Sequence, residues 1–333
     1  MSDEAVTARA LYWAARVPGA NAPFDTIHLK IFYPARPTGS NAERMSGAIP
    51  ADASRGPLPV VVLCPGVNVN PDGYRWLAIS LCERGFAVVI FTWIGEIMPG
   101  FHGITPGIDL SAFKPDTYGK KPAVLCLPPI LDALAQIAAN DRSPLKGMLA
   151  LDRVAIGGHS AGGSAAFQAT DHRYYPSVAA AFTYGSHNTL STMMGFEANH
   201  VGRIAADCPI MLLGGTEDGV IAQSASRYGN AEGHAVDPIV RTFEEAIQGG
   251  RGDAYVVILE GANHLTVTHP HDPTSARGFL DKPEREPDEA RAIIARLIGL
   301  FLEAHLRGDE GSKREFDALF EERTARAVTA KRK

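Results

Sequence analysis

From residue 58 onward the chain repeats one rhythm. A short run of consecutive apolar residues is followed by a longer stretch in which apolar residues return every third or fourth position. Pro59-Val60-Val61-Val62-Leu63 is apolar throughout, as a strand covered on both faces must be. Residues 86–93, 178–184, 209–213 and 254–259 read the same way, and 152–156, with Val154 and Ile156 at alternate positions, reads as a short buried strand. Helical patterns lie between them. Tyr74, Leu77, Leu81 and Cys82 share a stripe, with Asp72 placed to cap the helix and Gly85 to stop it. Pro128 and Pro129 open a helix carrying Ile130, Leu131, Leu134, Ile137 and Ala138. Residues 161–170 are small and helix-compatible. The last helix has Asp288 and Glu289 in its first turn, an apolar stripe from Ile293 through Leu297 to Phe301, and Gly308 as its stop. Ahead of this rhythm, 11–17 and 27–33 read as antiparallel strands, joined to the rest by a polar surface connection over 35–57. Strands alternating with helices predict an α/β fold, a mostly parallel sheet with helices on both faces, in one domain over 1–310.

Two stretches break the rhythm. Residues 94–121 are rich in Gly and Pro yet carry Ile97, Met98, Phe101, Ile104, Leu110 and Phe113. A long segment leaving the carboxyl end of a core strand reads as a lid, with a packed ornament as the alternative. Residues 311–333 are highly charged. Ser312-Lys313-Arg314-Glu315 reads as a capping box and Phe316, Leu319 and Phe320 share a face, so a helical extension is expected, docked or forming a homodimer.

Composition narrows the classes. The 333 residues are 45% apolar and 21% charged with a net charge of −5, ordinary for a globular protein and wrong for a nucleic-acid or anionic-membrane surface. No run approaches the length of a membrane-spanning helix. Met1-Ser2-Asp3-Glu4 has no positive region followed by an apolar run, and the four cysteines are scattered through apolar segments. Reduced thiols and a cytoplasmic location are expected.

Chemistry centres on Gly158-His159-Ser160-Ala161-Gly162. A serine on a sharp turn between strand and helix projects its hydroxyl from the sheet edge, and flanking glycines let neighbouring backbones approach. The alternative is a structural serine in a Gly-rich turn. A nucleophilic serine needs a base, and the base an anionic partner. The strand 209–213 runs into Gly214-Gly215-Thr216-Glu217-Asp218, making Asp218 the candidate acid with Glu217 as rival. The strand 254–259 runs into Glu260-Gly261-Ala262-Asn263-His264, making His264 the candidate base. The N–H groups of Ala161 and Val67, the latter in Cys64-Pro65-Gly66-Val67-Asn68, would hold a developing oxyanion. Asn68, Trp93, Ile94, Tyr184, His187 and Val220 are the candidate substrate-binding residues. His159 should point away from the reaction face. His269, His271 and Asp272 are too sparse a cluster to predict a metal, and no cofactor is implied.

These residues together resemble the α/β-hydrolase superfamily, and within it the branch holding dienelactone hydrolases, cutinase-like polyester hydrolases and platelet-activating-factor acetylhydrolase-type enzymes. Ile31-Phe32-Tyr33-Pro34-Ala35, Pro65-Gly66, the 158–163 turn, Gly215 with Asp218, and Asn263-His264 carry the likeness over residues 25–305. Many relatives have His-Gly where this chain has Pro65-Gly66, cutinase-like members carry a tryptophan after the strand that here runs into Gly185-Ser186, and dienelactone hydrolases use a cysteine nucleophile. The resemblance implies a serine hydrolase with a Ser160–Asp218–His264 triad acting on a small-molecule carboxylic ester. Acyl transfer, lactone or amide hydrolysis would use the same residues, and a non-catalytic ligand-binding relative is the remaining class.

Overall fold

In chain order the elements are β1 (Thr7–Arg16), β2 (Thr26–Ala35), α1 (Asn41–Ser46), β3 (Leu58–Cys64), α2 (Arg75–Glu83), β4 (Ala87–Met98), β5 (Phe101–Ile104), α3 (Leu127–Ala139), β6 (Leu149–His159), α4 (Ala161–Ala169), β7 (Val178–Tyr184), β8 (Ile210–Gly215), α5 (Gly219–Gln223), α6 (Asp237–Arg241), β9 (Ala254–Leu259), α7 (Pro287–Leu302), α8 (Glu310–Glu321) and β10 (Ala327–Arg332). This computed structural model describes residues 7–98, 100–274, 276–321 and 326–333. The leader reading at Met1–Glu4, residue 99 of the predicted lid and 322–325 of the C-terminal extension lie outside the described residues.

The strands form one mixed α/β sheet of ten, ordered β1-β2-β4-β3-β6-β7-β8-β9-β10, with β5 paired to β4. The central strands β4, β3, β6, β7, β8 and β9 are mutually parallel, while β1, β2, β5 and β10 add antiparallel edges. Apolar side chains on both faces of the central strands require cover on both sides. One face packs against α3, α4 and α6 through Ile130, Leu134, Phe167 and Ile239. The opposite face packs against α2, α7 and α8 through Leu77, Leu81, Ile294, Phe301 and Phe316. Among the described residues no helix is long and apolar enough to cross a membrane, and the four cysteines are buried free thiols.

Several elements differ from the sequence reading. Strand β4 does not end at residue 93. It overhangs the sheet to Met98 and folds back through β5, so the start of the predicted lid is a β-hairpin, pairing Ile94 with Ile104 and Met98 with Phe101. The cap lies on the short turn Pro71–Tyr74 that leads into α2 and is Asn70, whose side chain accepts the Asp72 N–H at 3.0 Å, while the Asp72 carboxylate faces Lys30 at 2.6 Å. Helix α8 is capped by Asp309, which accepts the Ser312 N–H, and Glu315 pairs with Arg296 instead of closing a capping box. The C-terminal extension is only partly helical, since β10 adds a strand antiparallel to β9. Its exposed Lys331 and Arg332 suit a sheet edge, where one side meets water.

Chain order makes the site. After β3 the chain moves to β4 on one side, then crosses to β6 on the other. The carboxyl ends of β3 and β6 therefore flank a crevice at the point where strand order reverses, the place where open α/β sheets bind ligands.

Candidate active site

Strand β6 ends at His159 and α4 begins at Ala161, leaving Ser160 alone in the turn with φ 54° and ψ −123°. A non-glycine residue there carries about 1–3 kcal/mol of strain, which the surroundings must enforce. The glycines show how. A β-carbon on Gly158 would lie 2.1 Å from the Gly162 carbonyl oxygen, and one on Gly162 would lie 2.1 Å from that of Cys64. The strand, turn and helix thus pack backbone to backbone, and the Ser160 N–H donates to the Tyr184 carbonyl at 3.0 Å. Ser160 lines a cavity of about 390 Å³ together with Val67, Ala161, His187 and His264.

Asp218 follows β8 and His264 follows β9, adjacent parallel strands whose loops emerge side by side. The Asp218 carboxylate, fully buried, receives the His264 Nδ1–H at 2.8 Å and the Ile221 N–H at 2.8 Å. Burial works against the imidazolium of His264, but the Asp218 charge and hydrogen bond outweigh it and raise its pKa above the ordinary value. With Nδ1 committed, Nε2 is the nitrogen left for chemistry. Glu217, the rival acid, lies within 4 Å of Lys282 and Arg285 instead, at 3.8 and 3.9 Å. Val67 and Ala161 both border the cavity, and neither N–H has an acceptor among the described residues. Ala161 opens a helix, where the first N–H groups have no intrahelical partner.

The six candidate substrate-binding residues divide. Asn68, His187 and Val220 line the cavity. Trp93, Ile94 and Tyr184 do not. Because β4 continues past residue 93, pleating turns Trp93 into the core, where Nε1 donates to the Phe24 carbonyl at 2.8 Å, and leaves Ile94 42% exposed on the hairpin. Ile97 and Met98, farther along the hairpin, reach the cavity. Tyr184 lies beneath the site, its hydroxyl donating to the Asn263 carbonyl at 2.6 Å. It supports the serine and histidine loops from below and does not itself line the cavity. Asn68 stands at φ 57°. Its N–H donates to the Ile104 carbonyl and its Oδ1 accepts the Ile104 N–H, both at 2.9 Å, pinning the hairpin to the loop after β3.

Two positioning groups carry no local sequence signal. The Asp281 carboxylate accepts the N–H groups of Gly219, His264 and Leu265 at 3.1, 3.1 and 3.0 Å, bridging the acid and base loops. Tyr74, at the start of α2, reaches His159. The Tyr74 hydroxyl lies 2.8 Å from His159 Nδ1 and accepts the Gly66 N–H at 3.1 Å. His159 Nε2 lies 3.0 Å from the His264 carbonyl. A carbonyl only accepts, so Nε2 carries the proton. Burial and the neighbouring His264 push the His159 pKa well below the ordinary value and keep the ring neutral. The chain then runs one way, from Gly66 N–H to Tyr74 O, from Tyr74 O–H to His159 Nδ1, and from His159 Nε2–H to the His264 carbonyl. His159 points away from the cavity and joins the loop after β3 to the base loop.

Neither a known protein family nor a curated protein matches this sequence. What the site can do must be read from its own groups. Among the described residues no set of three or more His, Cys, Asp or Glu side chains is arranged to hold a metal ion, and that includes His269, His271 and Asp272. The cavity offers a hydroxyl on a strained turn, an imidazole backed by a buried carboxylate, and two backbone N–H groups. That set suits acyl chemistry.

Proposed function

We propose that this chain is a serine hydrolase of the α/β-hydrolase type that cleaves a small carboxylic ester through an acyl-enzyme on Ser160. The buried Asp218–His264 hydrogen bond, opening on the same cavity as the strained Ser160, carries the reading. In the first step His264 Nε2 takes the Ser160 proton as Oγ attacks the ester carbonyl carbon. Asp218 holds the tautomer and stabilises the imidazolium. The N–H groups of Val67 and Ala161 receive the developing oxyanion, each worth about 2.7–4 kcal/mol of barrier. The intermediate collapses with cleavage of the ester C–O bond, and the alcohol leaves with the proton from His264. Water, deprotonated by His264, then attacks the acyl carbon and frees Ser160.

A fluorophosphonate probe should label the wild-type protein at a single site, and p-nitrophenyl butyrate should be hydrolysed. Ser160→Ala should abolish both. Labelling that persists in this variant, or esterase activity that persists, would overturn the assignment.

A further inference from the structure

The cavity that holds Ser160 also holds two arginines. Arg227 follows α5 in the turn Ala225–Tyr228, and Arg277 precedes the turn Gly278–Leu280. Both are half-buried. Among the described residues no aspartate or glutamate lines the cavity, and neither arginine has a carboxylate within 4 Å. Arg277 instead donates from Nη1 to the Ser224 hydroxyl, itself part of the wall. Burial, and then the nearby charge of Arg227, lowers the Arg277 pKa. Guanidinium stays charged in any protein environment. His187, beside Tyr228 with ring centroids 4.6 Å apart, is pushed down to about 4 by burial and adds no positive charge near neutral pH.

Two like charges half-withdrawn from water, with no acidic side chain on the shared wall, form an incomplete electrostatic arrangement. A group that enters with the opposite sign completes it. Planar guanidinium forks match the two oxygens of a carboxylate or those of a phosphate. Ser160 and His264 sit on the same cavity, and its volume of about 390 Å³ is at the small end for ligand sites.

We propose that Arg227 and Arg277 form an anion subsite, and that the substrate is a small ester carrying an oxyanionic group, carboxylate or phosphate, distal to the bond cleaved. This rests on the hydrolase reading for the identity of the bond and on the arginine pair for the anion.

The test compares p-nitrophenyl hexanoate with the p-nitrophenyl half-ester of adipic acid, which share length and leaving group and differ in one terminal carboxylate. A third ester, p-nitrophenyl 5-phosphonopentanoate, separates a carboxylate from a phosphate preference. In the wild-type protein kcat/KM for one of the anionic esters should exceed that for hexanoate by at least about tenfold. The anionic-to-neutral ratio should fall about tenfold in Arg277→Gln and in Arg227→Gln, with part of it retained in Arg277→Lys. A wild-type ratio at or below one, or a ratio unchanged in both Gln variants, overturns the proposal. Calorimetric titration of Ser160→Ala with monoethyl adipate reads the subsite without turnover. Binding that is lost in Ser160→Ala/Arg277→Gln supports the subsite even if no ester is cleaved, in which case only the hydrolase reading fails. Absence of binding together with absence of selectivity refutes the subsite.

Discussion

The Tyr74–His159 chain makes a quantitative test of how the site is held. Tyr74 is 3% exposed, and its hydroxyl serves both Gly66 N–H at 3.1 Å and His159 Nδ1 at 2.8 Å. Tyr74→Phe removes one oxygen and fills nearly the same volume. What it changes is polar satisfaction, leaving a buried backbone donor and a buried ring acceptor without partners. Each such loss costs about 1–3 kcal/mol, so the expected destabilisation is about 2–6 kcal/mol. Urea unfolding at pH 7.5 reads it directly. Because the two side chains share a hydrogen bond, Tyr74→Phe combined with His159→Gln should deviate from additivity by about 0.5–3 kcal/mol. A Tyr74→Phe effect below about 0.5 kcal/mol, or strict additivity in the double variant, would refute the directional chain.

Asp218→Asn should lower kcat by roughly four orders of magnitude on any ester the protein cleaves, whereas Glu217→Gln should change it less than threefold; the reverse ranking in steady-state assays would reassign the acid. Ile97→Ser and Met98→Ser should raise KM for hexanoyl esters more than for acetyl esters, because both side chains line the cavity, while Phe101→Ser, 66% exposed on the same hairpin, should alter neither. Stability should fall as pH drops from about 6.5 towards 4. Burial lowers the folded-state pKa of His187 and His305 to about 4 and that of His159 well below its ordinary value, so below about pH 6.5 the unfolded chain binds more protons, each such group contributing up to about 1.4 kcal/mol per pH unit. His264, raised by Asp218, contributes in the opposite sense only at higher pH, where the folded state holds its proton longer. Urea midpoints that stay level between pH 6.5 and 4.5 would contradict these assignments.

The central strands were legible because a strand covered on both faces has to be apolar at consecutive positions, and β3, β7 and β9 carry that mark to within a residue of their ends. Of the antiparallel additions, β1 and β2 were legible as an entry pair, whereas the overhang of β4 with β5, and β10, were not. In β4, β-branched residues give way after Trp93 to Ile94-Gly95-Glu96-Ile97-Met98, which reads as loop until β5 is present to pair with it. In β10, Ala327-Val328-Thr329-Ala330-Lys331-Arg332 acquires strand character from the open edge of β9. The same division runs through the site. Ser160, Asp218 and His264 each directly follow or closely trail a core strand, so chain order brings them together. Tyr74, Asp281, Arg227 and Arg277 lie on segments whose local sequence gives no sign of which loop they will fold against.

The double hydrogen bond between Asn68 and Ile104 has a consequence for anyone altering the selectivity of this protein. The residues that would set chain-length preference, Ile97 and Met98, sit on a hairpin fastened to the residue after Val67, the proposed oxyanion donor. Remodelling the hairpin therefore pulls on the donor loop. A library randomised over 97–103 should yield variants in which size preference and turnover number change together. Fixing Asn68 and Gly103, where a β-carbon would lie 2.1 Å from Asn68 Oδ1, is the way to tune one without the other.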